Sequence, residues 1–246
     1  MDRGWRVAAS LFFLGACLIA GVLTGILIHR LVVGSPQEAI LLLGVEANPD
    51  RGLEPPVLRA VWVAVPQTEP DQLHLIGLLP EVWDREGRLC DLYQQGADDR
   101  LRDVVAALLE EVDYISGAII LSADSLSDLV ELVGRLPVGS APQDAQGALA
   151  YLRGASDSLD ALDRQSWVLK GAVQALAAAR PDPQDLSALL NRHAQTDLPA
   201  DRQAALWQAL AQSGVGQVLV RPLPQYRFEA FTAPDGRPAY RLRSTE

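Results

Sequence analysis

Arg153 and Arg164 stand eleven residues apart in "YLRGASDSLDALDR", on either side of a link rich in aspartate and serine. Two guanidinium groups presented by neighbouring helices suit a phosphate or pyrophosphate, because each planar fork donates two parallel charge-assisted hydrogen bonds to an oxyanion. The same residues also suit two ordinary polar helix faces. On that reading Arg153 and Arg164 pair at the surface with Asp157, Asp160 or Asp163, and such pairs contribute little. Residue types and spacing alone leave both readings open.

Several other chemistries lack a motif. The 246-residue chain has no GxGxxG, P-loop or GxSxG, so nothing supports nucleotide binding or a serine hydrolase. His29, His74 and His193 are far apart and no HExxH is present, while Cys17 and Cys90 are the only cysteines. There is thus no zinc-type spacing and no disulfide framework. The formal charge of −10 argues against nucleic acid as a partner, since phosphate backbones favour basic surfaces. Lys170 is the only lysine, so nearly all positive charge is guanidinium.

The elements that must hold the two arginines follow from periodicity. Short apolar runs at 38–45, 57–65, 72–79, 115–121 and 216–223 read as strands, the second and third forming an antiparallel hairpin across "PQTEPD". Helical spacing appears at 98–112, 124–134, 143–152, 160–179, 184–194 and 199–213. Asp98 or Asp99 caps the first of these helices; Asp124 or Ser125 caps the second, which Gly134 ends. This intermixing predicts one α/β domain over 38–223, with a mixed central sheet between helical layers. The tail 224–246 reads as a hairpin turning at Pro234-Asp235-Gly236.

Val7–Ile28 is an uncharged apolar run of 22 residues, long enough to cross the hydrocarbon of a bilayer as a helix. Arg3 and Arg6 precede it, which places residues 1–6 in the cytoplasm, and the domain outside the cell membrane after a linker at 29–37. "LGAC" at 14–17 is the competing feature, since it resembles a lipoprotein processing site ending at Cys17. Eleven further residues without charge follow that cysteine, which favours an uncleaved single-pass anchor.

The order of segments carries a resemblance. "ILLLGVEAN" leads through a strand hairpin and a helix to "VDYISGAIILSADSLSDLVELVGRL", then to "DAQGALAYLR" and "LDRQSWVLKGAVQAL". Over about residues 38–213 this resembles the LytR-CpsA-Psr family of cell-envelope proteins, chiefly through Asp144, Ala148-Leu149, Tyr151, Arg153 and Arg164-Gln165. The resemblance implies an αβα sandwich on a membrane anchor. It also implies a polyprenyl-pyrophosphate-linked glycopolymer whose lipid lies in an apolar cavity between sheet and helices. In the family the phosphosugar passes to a peptidoglycan hydroxyl, with a divalent cation such as magnesium and a cluster of arginines on the pyrophosphate.

Carried over by position, the resemblance makes Glu46 the metal-binding acid, and Arg153, Arg164 and Glu81 the catalytic candidates. At strand ends, Glu46 and Glu81 also suit plain solvated acids. Three of the family's arginines are replaced. Leu79-Pro80-Glu81 stands where Pro-Arg-Asp is expected, and Ala155 and Ala161 fill the other two places. Charge-assisted hydrogen bonds lost at three positions amount to roughly 4.5–9 kcal/mol, or about three to six decades of rate. Arg51, Arg59 and Arg88 are the available replacements. The expectation is a degenerate member that binds lipid or polymer, or serves as a scaffold, with an active phosphotransferase as the alternative. Tyr151, Trp62, Trp83, Trp167 and Trp207 are expected to pack helices and core rather than bind ligand.

Overall fold

Strand β1 (Glu38–Glu46) begins the domain, and Ala39 to Leu43 are buried on both faces of the sheet. A computed structural model describes residues 38–243, apart from 47–55, 68–71, 86, 97, 110, 140, most of 183–194 and most of 200–217. β2 (Val57–Gln67) and β3 (Gln72–Leu78) form the expected antiparallel hairpin, with Trp62 opposite Gly77. A two-stranded turn, β4 (Trp83–Asp84) and β5 (Gly87–Arg88), leads into helices α1 (Leu89–Gln94) and α2 (Asp98–Leu108). β6 (Tyr114–Leu121) follows, then helix α3 (Ala123–Val133) and a small hairpin, β7 (Leu136–Val138) and β8 (Ala141–Gln143). Helices α4 (Ala145–Arg153) and α5 (Ser158–Ala179) come next, then β9 (Gln195–Thr196) and β10 (Val218–Pro222). The chain closes on the hairpin β11 (Phe228–Thr232) and β12 (Pro238–Leu242).

The six-stranded sheet has the order β10-β3-β2-β1-β6-β9. β1 runs parallel to β6 and β3 parallel to β10, while the other pairs are antiparallel, so the sheet is mixed as predicted. Alternation along β1 sends Ile40 and Leu42 to one face and Leu41 and Leu43 to the other. Helices α1 and α2 pack against the sheet on the second face, and α5 crosses the first beside β3 and β10. A separate small core of Val130, Leu136, Val138, Ala148, Val168, Ala172 and Ala175 ties α3, the β7–β8 hairpin and α4 to α5. That core fixes where the end of α4 points.

Helix boundaries differ from the sequence reading where side chains outside the periodic pattern decide them. α3 is capped by Ser122, whose hydroxyl accepts from the Ser125 N–H while Ser125 reciprocates, so Asp124 lies in the first turn. α2 ends at Leu108 rather than near 112. The elements β4, β5, α1, β7, β8 and β9 have at most six residues each, too short for a periodicity to register. Most of the helices expected at 184–194 and 199–213 lie outside the described residues. So do the apolar segment 7–28, Cys17, Arg51 and Trp207. Among the described residues no helix is long and apolar enough to cross a membrane.

The C-terminal hairpin is docked rather than free. Phe228 and Ala239 are buried, the Tyr240 N–H donates to the Glu81 carbonyl at 3.1 Å, and Val82 bridges to Tyr240. Arg88 is only 2% exposed and holds the turn of that hairpin through Asp235.

Candidate functional site

The site is built at the C-terminal end of β1. The register between β1 and β2 shifts at Gly44/Val45, after which Glu46 pairs with Val57 at the start of β2. Arg59 follows two residues along β2, and its Nε donates to Glu46 Oε2 at 3.2 Å. Arg153 donates from its Nε to the other carboxylate oxygen, also at 3.2 Å. It is the last residue of α4, a helix begun by Asp144, whose carboxylate accepts from the Gly147 N–H. A cation at that end is favoured by the helix dipole. Arg59 and Arg153 are 63% and 62% exposed, so water screens both contacts and each ion pair is weak.

Gln165 on α5 secures this arrangement from below. Its amide Nε2 donates to the Arg59 carbonyl at 2.9 Å, and its Oε1 accepts from the buried Trp62 indole at 3.1 Å. Both ends of one side chain thus join α5 to β2 directly under Arg59.

Arg164 has a different task. Its Nε donates to Asp160 Oδ1 at 2.9 Å and its Nη1 to the Tyr151 carbonyl at 2.8 Å, with the guanidinium 5.0 Å from the Tyr151 ring centre. It therefore satisfies an otherwise unpaired carbonyl in the last turn of α4 and pins the α4–α5 link. The Arg164 guanidinium, and then the Ser156 N–H, hold the Asp160 carboxyl below its ordinary value. Of the two arginines in the opening motif, one reaches toward Glu46 and the other follows the surface-pair reading. Ala155 and Ala161, where further arginines would complete the cluster, are half-buried beside them.

Glu81 lies in the turn after β3, and the hydrogen bonds and ion pairs that Glu46 makes among the described residues go to Arg59 and Arg153, not to Glu81. Its surroundings are Cys90 and Tyr240. Burial, then the charges of Asp91 and Glu81, push the Cys90 thiol up to about 11. Arg88 is fully engaged with Asp91, Asp235 and the Pro238 carbonyl. Among the replacement arginines, Arg59 therefore joins the site and Arg88 does not.

The donors around Glu46 do not fit a resident magnesium ion, which needs six oxygens in near-octahedral geometry. Both oxygens of this one carboxylate accept from guanidinium groups, whose positive charges oppose a dication. Among the described residues no three His, Cys, Asp or Glu side chains are grouped to hold a metal. What the arrangement can do is receive an anion on exposed guanidinium edges.

A cavity of about 190 Å³ lies on the α2 face of the sheet, walled by Leu41, Leu43, Leu101, Ala118 and Ile120, with Arg102 and Asp197 on its polar side. Arg102 and Asp197 form an ion pair there, and Asp197 also accepts from the Ala118 N–H at 2.8 Å. None of Glu46, Glu81, Arg153 or Arg164 lines this cavity. Trp62 is in the core as expected, whereas Trp167 is 52% exposed with Lys170 Nζ 5.1 Å from its ring centre.

Arg59 and the paired contacts of Gln165 are the features that sequence reasoning understated. In the sequence Arg59 stands as one of three available replacement arginines with nothing to single it out, and the one signal for Gln165 is its place after Arg164 in the motif.

Neither a protein-family model nor a curated protein matches the sequence. Solved structures do. TagV of B. subtilis superposes with a TM-score of 0.66 at 14% identity, covering 85% of this chain and 91% of that one. TagT bound to LI-WTA gives 0.64 at 14% identity, over 85% and 86% of the two chains. A transcriptional regulator from Enterococcus faecalis gives 0.61 at 17%, over 85% and 82%. TagV and TagT are LytR-CpsA-Psr proteins, and the fold of this chain is the LytR-CpsA-Psr fold that the order of its motifs implied.

Proposed function

We propose that the chain is a membrane-anchored cell-envelope protein whose outer domain binds the phosphoanion of a polyprenyl-linked glycopolymer without transferring it efficiently to peptidoglycan. One observation carries this reading. The Glu46 carboxylate is shared by Arg59 and Arg153, while Arg164 is occupied by Asp160 and the end of α4. Two exposed guanidiniums suffice to attract a phosphoanion. They fall short of the buried, preorganised set that transition-state charge on a transferring phosphoryl group demands. TagT bound to LI-WTA supports the ligand class.

With magnesium and a polyprenyl-pyrophosphate-linked sugar polymer, the purified chain is expected to release negligible polyprenyl phosphate above the background rate. Robust turnover that disappears in Arg153→Ala and Arg164→Ala would establish the alternative, an active phosphotransferase. The presence of Arg59 beside Arg153 is the observation favouring that alternative, since it restores one cationic position.

The anchor is part of the same proposal. Val7–Ile28 holds the chain in the cell membrane with residues 1–6 in the cytoplasm. Mass measurement of the membrane-extracted chain is expected to show Met1 to Ala16 retained. A chain that begins at a lipidated Cys17 would replace the anchor with a lipoprotein.

A further inference from the structure

We infer that Arg59 and Arg153 form a phosphoanion receptor that works without a divalent cation, and that Glu46 is the receptor's built-in competitor. The inference rests on the binding reading above and concerns how the same site holds its ligand.

Each guanidinium gives Glu46 only its Nε–H, the donor nearest its own stem. Among the described residues nothing accepts from the terminal nitrogens of Arg59 or Arg153. Both side chains are mostly exposed, so each keeps an outer guanidinium edge open to solvent, and the two residues are joined across one carboxylate. An outer edge of this kind is the part that binds phosphate oxygens in pairs.

The charges then decide the role of Glu46. Arg59, Arg153 and Glu46 together carry one net positive charge. A dication entering here meets two guanidiniums already seated on both oxygens of the carboxylate. A phosphoanion meets the opposite balance: two attractive groups and one repulsive one. Pyrophosphate carries several negative charges, so its repulsion from a carboxylate a few ångströms away exceeds what Glu46 gains from two exposed ion pairs. Glu46 thus holds the guanidiniums together while the site is empty and weakens anion binding once it is filled. Gln165 keeps Arg59 in place through the Arg59 carbonyl, so the receptor does not depend on the carboxylate for its backbone geometry.

The test uses the full chain in detergent and inorganic pyrophosphate as the probe, measured by equilibrium dialysis at matched free pyrophosphate. Saturable binding is expected in EDTA, with an affinity that magnesium changes by less than about twofold. Arg59→Ala and Arg153→Ala are each expected to weaken binding by about tenfold or more, the loss of a charge-assisted contact. Glu46→Gln is expected to tighten binding by about threefold to tenfold. Glu46 is 37% exposed and glutamine is nearly isosteric, so an unchanged thermal melt confirms that this variant folds. Binding that requires magnesium, or that weakens in Glu46→Gln, overturns the inference, and the wild-type comparison in EDTA decides it without any variant. Polyprenyl pyrophosphate in nanodiscs separates the two claims. Magnesium-dependent binding of that lipid keeps the proposed function and removes this inference, whereas no binding of either probe removes both.

Discussion

Arg88→Met is expected to lower the unfolding free energy by about 3 kcal/mol, the usual scale for removing one partner of a buried ion pair. For a chain of this size that corresponds to a fall in melting temperature of about 6–12 °C. Methionine keeps most of the volume, so the loss isolates the guanidinium. Arg88 is 2% exposed and donates to Asp235 from two nitrogens at 2.9 and 2.8 Å, to Asp91 at 3.0 Å and to the Pro238 carbonyl at 3.2 Å. It also lies 5.5 Å from the Trp83 ring centre. Without it, the cation that Asp91 and Asp235 share among the described residues is Arg237, whose side chain is 61% exposed.

A pH signature accompanies the loss. The Arg88 hydrogen bonds, and then the Arg237 N–H, hold the Asp235 carboxyl far below the usual carboxylate range. A depressed carboxyl stabilises the fold fully above its unfolded-chain value of about 3.9, and this contribution fades as pH falls toward the folded value. Wild type is therefore expected to keep the C-terminal hairpin docked at lower pH than Arg88→Met does, as followed by acid titration of near-ultraviolet dichroism. Equal acid midpoints for the two proteins would place the stabilisation elsewhere.

Arg88 also shows why part of the molecule was illegible in the sequence. Its main partner, Asp235, is 147 residues away, and no local pattern links them. The strands were legible for the opposite reason. Ala39 to Leu43 and Val61 to Val65 are continuous apolar runs because both faces of the sheet are covered. The two-residue strands β4, β5 and β9 exist through tertiary pairing and leave no periodic trace. In the site, the motif spacing singled out Arg153 and Arg164 as a pair. It could not divide them, because the difference lies in what each guanidinium meets: Glu46 from β1 for one, Asp160 and a helix-end carbonyl for the other. Arg59 escaped the motif because its contribution depends on the β1–β2 register, which brings it beside Glu46.

Trp62→Ala is expected to cost about 3–5 kcal/mol in urea unfolding, the range for truncating a large buried aromatic. Its indole is 3% exposed on the α5 face of the sheet, and Gly77 faces it from β3. A Cβ at Gly77 would stand 2.8 and 2.9 Å from Trp62 Cη2 and Cζ2, and 2.9 Å from Leu162 Cδ1. Gly77→Ala alone therefore overpacks the interface and is expected to cost about 1–3 kcal/mol. Once the indole is gone, most of that obstruction is gone too, so the double variant is expected to lose at least about 1 kcal/mol less than the sum of the single losses. Additive losses would show that Gly77 is required for something other than making room for the ring. The site supplies a second readout. The Trp62 indole N–H orients Gln165, and Gln165 donates to the Arg59 carbonyl. Trp62→Phe keeps an aromatic ring but removes the N–H, which leaves Gln165 Oε1 without that donor at a cost of about 1 kcal/mol. Pyrophosphate affinity in this variant is expected to fall further than in Trp167→Phe, a change on the exposed face of α5, at matched stability. Equal affinity in the two would mean that Arg59 holds its position without the α5 brace.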